Sequence, residues 1–419
     1  MLKICWRNIW RNKVRSGVVL GAIALGLFCG TYLSAFITGW MVGTVKEDIE
    51  TYTSHVQIHH PDFTRNHDLD AYISKDDVHD RLHRFLANRQ GNEHYRFSVS
   101  SRLNITGMLA SAHNAVGLTA NGIEVEDEKG VSSVWKTIPD SLGAFLPDDM
   151  KNPIVISEKT AKKLKVKPRS KVIFSFQDVS GEMQSMAFRI SGIYHTSNTA
   201  VDEGNVYVRY ADIFPASGLP DGAVHQVAVM VNEPADDPLA VSGEIFPEIK
   251  NLFPEYTVED WQQLNPMLAM SLAMTDIMVI VVLMIFLLAL AFGIVNTMLM
   301  AILERTRELG MLSAIGMNSG KIFRMVMTET VLLTLAGSFA GIILAAIALL
   351  PSIHYGIDLH FMMGDTFEDY GFSSVVFPVV NVKMLAQIIV LVVLAGILSA
   401  VYPAGKAIKI NTIEAIKSE

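Results

Sequence analysis

Cysteine is scarce in this sequence: the 419 residues contain two, Cys5 and Cys29. The long segment from residue 46 to 265 contains neither, so no internal disulfide can stabilise it. A segment of this length builds a hydrophobic core large enough to fold without such links. The absence therefore excludes the class of small, disulfide-stapled modules for this segment.

Charge is absent from four long runs of the chain. No Asp, Glu, Lys or Arg occurs over residues 16–45, 277–303, 330–357 and 384–405. A helix needs about 20 apolar residues to cross the hydrocarbon core of a bilayer, and each run is long enough. The first run exceeds the apolar part of a secretory signal peptide, about 7–15 residues, so we expect it to remain as a span. The sequence therefore predicts four transmembrane helices.

Positive charge is concentrated in three short segments next to these runs. The basic residues are Lys3, Arg7, Arg11, Lys13 and Arg15 at the start, Arg305, Arg307, Lys321 and Arg324 after the second run, and Lys406, Lys409 and Lys417 in the tail. The loop after the third run is acidic instead, with Asp358, Asp365, Glu368 and Asp369. Because basic residues favour the cytoplasmic side, both termini and the middle segment are predicted to be cytoplasmic.

The spans and their connections divide the chain into nine segments. The predicted segments are a cytoplasmic amphipathic helix at 1–15, transmembrane helix 1 at 16–45, an extracytoplasmic domain at 46–265, a stalk with transmembrane helix 2 at 266–303, a cytoplasmic loop or helix at 304–320, transmembrane helix 3 at 321–350, a short extracytoplasmic loop at 351–383, transmembrane helix 4 at 384–408 and a cytoplasmic tail at 409–419. Helix 2 is predicted to begin at Pro266, because Asn265 is a good cap and proline suits the first helical position. Its length exceeds a bilayer core, so its first part should extend outside as a rigid stalk.

The extracytoplasmic segment contains two similar β-α-β patterns. The first has strands near 55–59 and 95–100 around a helix near 76–88, and the second has strands near 226–231 and 256–258 around a helix near 238–253. Between them lies a segment rich in short strand patterns, about 110–215. The predicted fold class is therefore an α-helical membrane protein with four transmembrane helices and a large α+β extracytoplasmic domain between helices 1 and 2.

The cytoplasmic segment after the second span has the densest pattern of polar residues. Its candidate functional residues are Glu304, Arg305, Arg307, Glu308, Gly310, Leu312, Ala314 and Gly316. Charges come first, and the apolar residues Leu309, Leu312 and Ile315 then recur at helical spacing, which predicts a short amphipathic helix that presents charges to a partner. Gly316 suits the end of this helix, and Asn318 or Ser319 can cap the next one. An ordinary charged turn is the alternative.

Three motifs mark the opening, the middle and the end of the chain. They are Trp6-Arg-Asn-Ile-Trp-Arg-Asn-Lys13, Asn296 followed by Glu304-Arg-x-Arg-Glu308-Leu-Gly-x-Leu-x-Ala314-Ile-Gly316, and Tyr402-Pro-Ala-x-Lys406-Ala-x-Lys409-Ile-Asn-x-Ile413-Glu-Ala415. Together they resemble the motifs of FtsX-like permeases, the MacB and LolC/LolE class of ABC transporters. Gly192-Ile-Tyr194 and Asp202-Glu-Gly-Asn-Val-Tyr-Val208 look most like the lipoprotein-releasing LolC/LolE branch. The chain departs from the pattern at Pro168-Arg-Ser170, where Gly-Asp is common, and at Thr412, where proline is common.

This resemblance implies a permease subunit in the bacterial cytoplasmic (inner) membrane, with a MacB-type periplasmic core domain. The segment 304–316 would dock as a coupling helix on a separate ATPase subunit that binds ATP and Mg. A complete Walker A motif is lacking, since Gly316 to Ile322 has neither its spacing nor its Ser/Thr, so this chain itself is predicted to be no enzyme. The further implied partners are membrane lipids, a second permease copy or paralogue, a lipoprotein substrate and a periplasmic carrier. Nucleic acid is not among them.

Within that resemblance, lipoprotein release is the favoured function, with spans 1 and 2 lining a cavity for acyl chains. Phe36 and Met284 are guesses at contacts in this cavity. A MacB-like exporter of drugs or peptides and an FtsX-like regulator of a cell-wall hydrolase are the alternatives. A sensory receptor is disfavoured, because the chain offers no cytoplasmic output domain. The cargo, and homodimer against heterodimer, stay open.

Histidine pairs in the extracytoplasmic segment invite a comparison with metal sites. His79 and His83 share one face of a predicted helix, and His55 and His59 share one side of a predicted strand. The helical pair lacks the glutamate of a zinc protease motif, since Asp80 follows His79. Surface positions without a metal are predicted for both pairs.

Overall fold

The structure, a computed structural model, describes residues 13–66, 68–90, 96–233, 238–364 and 374–408. The predicted amphipathic helix at 1–15 lies outside the described residues except at its end, and so does the predicted tail at 409–419. Two compact units can be described separately. The membrane unit comprises the described residues of 1–42, 272–358 and 375–419, and the sheet domain comprises 43–271 and 359–374.

Fourteen α-helices occur in the described ranges of the chain. They are α1 (Lys13–Asp48), α2 (Pro61–Asn66), α3 (Lys75–Gln90), α4 (Val125–Val131), α5 (Glu158–Leu164), α6 (Thr199–Gly204), α7 (Tyr210–Ile213), α8 (Pro238–Leu252), α9 (Trp261–Leu264), α10 (Pro266–Glu304), α11 (Thr306–Ala314), α12 (Ser319–Tyr355), α13 (His360–Met363) and α14 (Val382–Ala407). A π-helical turn, Ile49–Thr53, continues α1.

Thirteen strands occur in the same ranges. They are β1 (Val56–His59), β2 (Ile73–Ser74), β3 (Arg96–Ala110), β4 (Ala115–Ile123), β5 (Pro153–Ser157), β6 (Lys171–Gln177), β7 (Met183–Tyr194), β8 (Asn205–Arg209), β9 (Ala223–Val224), β10 (Gln226–Glu233), β11 (Thr257–Asp260), β12 (Ile357–Asp358) and β13 (Val375–Val376).

Four helices, α1, α10, α12 and α14, are long and apolar enough to cross a membrane. The largest sheet lies between the first and second of them in the chain, over residues 56–260. These elements confirm the predicted fold class of four apolar helices with a large α+β domain inserted between helices 1 and 2. The assignment of the spans rests on their length and composition.

Glycines allow the helices of the membrane unit to approach one another closely. A Cβ added at Gly337 of α12 would lie 2.8 Å from the Cβ of Ile23, and one added at Gly341 would lie 2.8 Å from the carbonyl oxygen of Ala24. Gly396 of α14 faces Thr334 of α12 in the same way, at 2.6 Å from its Oγ1. Small residues at such crossings let two helices pack through their backbones, which is how helices associate in lipid.

The main sheet of the sheet domain has nine strands in the order β11-β1-β10-β3-β4-β8-β5-β7-β6. β3 also pairs with β6, through Met108 with Ser175 and Ala110 with Ile173, so six of the strands close into a ring. Phe174, Phe176 and Phe188 are among the buried side chains that fill its interior. A small barrel of this kind has a packed core rather than a channel.

The other end of the sheet is covered by two helices. Val78 of α3 and Ile245 of α8 belong to one buried cluster with Val56 of β1 and Val229 of β10. Apolar residues on one face of each helix cover the sheet, as expected for amphipathic helices. The two predicted β-α-β patterns thus lie side by side, because β1 pairs antiparallel along its whole length with the first half of β10.

The predicted surface position of His55 and His59 is wrong. His55 is 2% exposed and His59 is 5% exposed, because β1 lies between β10 and β11 and is covered on both faces. The imidazole of His59 contacts the side-chain oxygen of Gln57 at 3.0 Å. His79 is half-buried, with its Nε2 2.7 Å from the Oγ of Ser101. These histidines contribute to packing and hydrogen bonding.

Candidate functional site

The segment between α10 and α12 contains the short helix that the polar pattern predicts. α10 ends at Glu304, Arg305 leaves the helical conformation with φ −107° and ψ 16°, and α11 follows. Gly316 has φ +94°, a conformation that glycine adopts without strain, and its N–H donates to the Ser313 carbonyl at 3.0 Å. The side chain of Asn318 then accepts from the Gly320 N–H at 3.1 Å and caps α12.

The predicted coupling residues lie on different faces of this segment. Leu309 and Gly310 are buried against the membrane unit, and Leu312 and Glu308 are half-buried. The exposed members of the predicted set are Glu304, Arg307, Ala314 and Gly316.

Two exposed apolar residues join these charges on the outer face of the segment. Met311 is 48% exposed and Ile315 is 85% exposed, and both lie at helical spacing from Arg307. Sequence reasoning did not single out Met311, and it placed Ile315 on the apolar face of the helix. Apolar side chains flanked by charges form a surface that can bind another protein. We call Arg307, Met311 and Ile315 the docking face.

Arg305 points inward from the root of α11. Its Nη1 lies 3.2 and 3.3 Å from the two carboxylate oxygens of Glu329 in α12. The side chain of Arg305 is 13% exposed and that of Glu329 is 5% exposed. Sequence reasoning missed Glu329, although an acidic residue directly before the charge-free run of 330–357 is a usable signal for a partner.

An apolar crevice lies between α1, α10 and α14. Nine residues line it, none of them polar: Gly26, Gly30, Leu283, Phe286, Leu287, Leu290, Ile388, Leu391 and Val392. Neither of the two guessed cavity residues is among them. Met284 follows Leu283 and is 49% exposed, and half-buried Phe36 has its ring 6.4 Å from that of Trp40.

In the sheet domain, a buried carboxylate joins the end of α1 to the start of α10. Oδ1 of Asp48 accepts from the side-chain amide of Asn198 at 3.0 Å and from that of Asn265 at 3.4 Å. Its other oxygen accepts from the hydroxyl of Thr53 at 3.3 Å. The Asp48 cluster, defined by these four residues, ties both helix ends to the α6 region of the domain.

An ion pair deeper in the sheet domain holds the π-helical turn that follows α1. Arg102 donates to both oxygens of Glu128 at 2.7 and 3.0 Å and to the carbonyl of Tyr52 at 3.0 Å. Burial lowers the pKa of Arg102, but the charge and hydrogen bonds of Glu128 outweigh this and raise it overall. Arg102 therefore stays charged, and its hydrogen bonds to Glu128 and to the Tyr52 carbonyl fix the turn to the sheet.

Comparison with known proteins relates the membrane unit to permeases. Residues 280–412 match the family model described as FtsX-like permease C-terminal. An uncharacterized ABC transporter permease of Methanocaldococcus jannaschii is 27% identical over 315 residues, which cover 71% of this chain and 73% of the relative. The C-terminal third of the chain therefore carries an FtsX-like permease domain.

Two further relatives match a shorter stretch. The ABC transporter permease YtrF of Bacillus subtilis is 32% identical over 133 residues, which cover 31% of this chain and 29% of the relative. The macrolide export ATP-binding/permease protein MacB of Chromobacterium violaceum is 30% identical over 127 residues, covering 30% of this chain and 17% of the relative. The chain thus spans less than a third of these two relatives.

Two solved structures align with about half of the chain. The periplasmic region of MacB from Actinobacillus actinomycetemcomitans aligns at 16% identity and a TM-score of 0.33, covering 54% of this chain and 97% of that structure. The extracellular domain of the noncanonic ABC-type transporter YknZ from Gram-positive bacteria aligns at 18% identity and a TM-score of 0.31, covering 49% of this chain and 99% of that structure.

Proposed function

We propose that this chain, an ABC transporter permease of the FtsX and MacB type, converts ATP hydrolysis by a separate ATPase subunit into movement of its sheet domain. The observation that carries the proposal is the exposed docking face of α11, which lies directly after the 39-residue helix α10. The ATPase subunit would bind ATP and Mg, and this chain would have no catalytic residues of its own. A continuous helix of that length can transmit a displacement from one end to the other.

The mechanism begins at α11. A closing ATPase dimer would shift the docking face, and the covalent continuity through Arg305 would tilt α10. At its other end, α10 begins with Pro266, which follows Asn265 of the Asp48 cluster. Since that cluster also contains the end of α1, a tilt of α10 would reach the sheet domain and α1 together.

A second copy or a paralogue of this chain is the proposed membrane partner. Met267, Met270 and Met274 are 81%, 63% and 43% exposed on the first turns of α10, before its charge-free run begins. Exposed methionines at helical spacing form an adaptable apolar surface that suits a protein partner. With the basic segments on the inside, both termini would be cytoplasmic and the sheet domain would lie outside the cytoplasmic membrane.

A lipidated protein is the proposed cargo. The crevice between α1, α10 and α14 is lined entirely by apolar residues, the chemistry that an acyl chain requires, and its free volume of about 10 Å³ means that the helices would have to separate to admit one. Release to a soluble periplasmic carrier would follow closure of the sheet domains. Export of a small molecule is the second candidate, because relatives are named for the export of macrolides and of pyoverdine.

Purification of the tagged chain from its native membrane in mild detergent, followed by mass spectrometry of co-eluting molecules, tests this function. We expect an ATPase subunit together with acylated proteins. An ATPase with a periplasmic adaptor and an outer-membrane channel would favour small-molecule export. Absence of any ATPase would refute the transporter proposal.

A further inference from the structure

The ion pair between Arg305 and Glu329 links the two helices that flank the docking face. Arg305 stands at the break between α10 and α11, where the backbone is not helical. Glu329 stands ten residues into α12, about 15 Å along its axis from the first residue. The pair therefore connects the root of α11 to the interior of the membrane unit.

The burial of Glu329 makes this connection hard to break. Its side chain is 5% exposed in a helix that carries no Asp, Glu, Lys or Arg beyond it, and an uncompensated carboxylate there is strongly unfavourable. The neighbouring hydroxyls of Thr330 and Thr334 donate to carbonyls of their own helix, at Val326 and Thr330. These two hydroxyls therefore donate to the backbone of α12, whereas Arg305 brings a positive charge to the carboxylate of Glu329.

The contact is direct and two-sided. Nη1 of Arg305 lies 3.2 and 3.3 Å from the two carboxylate oxygens of Glu329, so the backbone break before α11 is held against the interior of α12. The geometry points to Arg305 and Glu329 as a positioning pair, through which a displacement of α11 moves α12 as well as α10.

This inference rests on the proposed function, because it needs an ATPase that displaces α11. It adds a second helix that the displacement of α11 would move, namely α12. This helix packs on α1 through Gly337 and Gly341 and on α14 through Thr334. Both residues act through the position of α11 and have no contact with the proposed cargo crevice.

Hydrogen exchange of the purified full chain without nucleotide tests the pairing. Glu329→Gln and Arg305→Gln should each accelerate exchange of the amides at 306–314 by about tenfold, because α11 loses its anchor. Arg324→Gln removes an equally positive side chain from an exposed position of α12 and should leave those amides unchanged. Two results would overturn the pairing role. One is a wild-type exchange rate at 306–314 in both the Glu329→Gln and the Arg305→Gln variant, and the other is an acceleration of the α14 amides as large as that at 306–314.

Exchange in the complex with the co-purified ATPase tests the transmission. In the wild type, ATP with vanadate should change exchange at 319–329, and Glu329→Gln should abolish that change while the ATPase still co-elutes. Persistence of the change in Glu329→Gln would overturn the inference. Failure of the proposed function is separate, since it appears as loss of the ATPase from the wild-type preparation, and the nucleotide-free exchange then still decides the pairing.

Discussion

Among the described residues, a buried arginine–glutamate pair occurs in each of the two units, and the two pairs differ in geometry. In the sheet domain, Arg102 binds Glu128 with two different nitrogens, and the side chains are 4% and 0% exposed. In the membrane unit, Arg305 shares one nitrogen with both oxygens of Glu329, and the side chains are 13% and 5% exposed. The two-nitrogen fork fixes orientation as well as distance.

The two pairs also differ in the elements that they join. Ser100 and the Tyr52 carbonyl complete the hydrogen bonds of the sheet-domain pair, so any shift leaves a buried charge unsatisfied. That pair holds the turn after α1 rigidly to the sheet. The membrane-unit pair joins the backbone break before α11 to the interior of α12, on either side of the docking face.

Breaking the sheet-domain pair should have the largest effect. Glu128→Gln leaves Arg102 buried without its counter-charge, which costs about 3–5 kcal/mol in comparable cases. Hydrogen exchange of β3 in the purified full chain should accelerate accordingly. Arg102→Met combined with Glu128→Leu should recover much of the loss, because no charge then stays buried. If the β3 amides of Glu128→Gln exchange at the wild-type rate, the pair does not hold the turn after α1 to the sheet.

The membrane unit should be more sensitive to side-chain volume than to charge. A Cβ at Gly39 would lie 2.1 Å from the carbonyl oxygen of Phe377, so Gly39→Ala should destabilise the unit by about 1–3 kcal/mol through overpacking. The thermal unfolding temperature of the detergent-purified chain measures this. Gly21→Ala is the control on the same helix, since nothing lies within 4 Å of a Cβ there. Equal shifts in both variants would contradict the packing account.

The docking face should depend on its apolar residues. Ile315→Glu places a charge where an 85% exposed apolar side chain is available for a partner, and should weaken ATPase binding about tenfold, equivalent to about 1.4 kcal/mol. The control is Lys321→Glu, which introduces the same new side chain just outside the docking face. Its dissociation constant for the ATPase should lie within about twofold of the wild-type value. Titration of the purified ATPase against the reconstituted chain gives the dissociation constants of both variants. A wild-type dissociation constant for Ile315→Glu would show that Ile315 is not part of the interface.

A smaller effect should appear with pH in the sheet domain. Burial lowers the pKa of His225, whose Nδ1 accepts the Asn104 N–H at 3.2 Å and whose Nε2 bonds the Leu69 carbonyl at 2.9 Å. Because the unfolded state then binds more protons, the stability contribution of His225 is present above pH about 6.5 and declines as pH falls toward its folded-state pKa. Exchange of β10 amides should accelerate between pH 7.5 and 5, after correction for intrinsic exchange.

The matched variants for this pH effect are His225→Gln and His113→Gln. The first should flatten the corrected pH dependence of β10 exchange, because it removes the titrating group. The second changes an exposed histidine in the turn after β3 and should leave the dependence intact. The same slope in all three proteins would show that other groups cause it.

Much of the fold follows from local patterns in the sequence. The charge-free runs correspond to the long apolar helices, α10 begins at the Asn265-Pro266 pair, and α11 ends before Gly316. These features depend on neighbouring residues alone, through apolar length, capping and the left-handed preference of glycine. The closure of β3 onto β6 could not be predicted, since it depends on which distant strands meet.

The polar contacts of the candidate site were the least predictable part. Glu329 lies 24 residues from Arg305, and Asn198 and Asn265 lie 150 and 217 residues from Asp48, and a single sequence carries no direct record of such pairs. The direction in which each residue of α11 faces also depended on tertiary packing. Leu309 and Ile315 are both apolar and lie on the same short segment, yet one is buried and the other exposed.

The most direct test of the central claim is photo-crosslinking from the docking face. A photoreactive phenylalanine in place of Met311 should crosslink to an ATPase subunit in native membranes, and the same residue in place of Met108, 54% exposed in the sheet domain, should not. This result would place the ATPase on α11. An absence of any ATPase adduct from position 311, or the same adduct from both positions, would contradict the account.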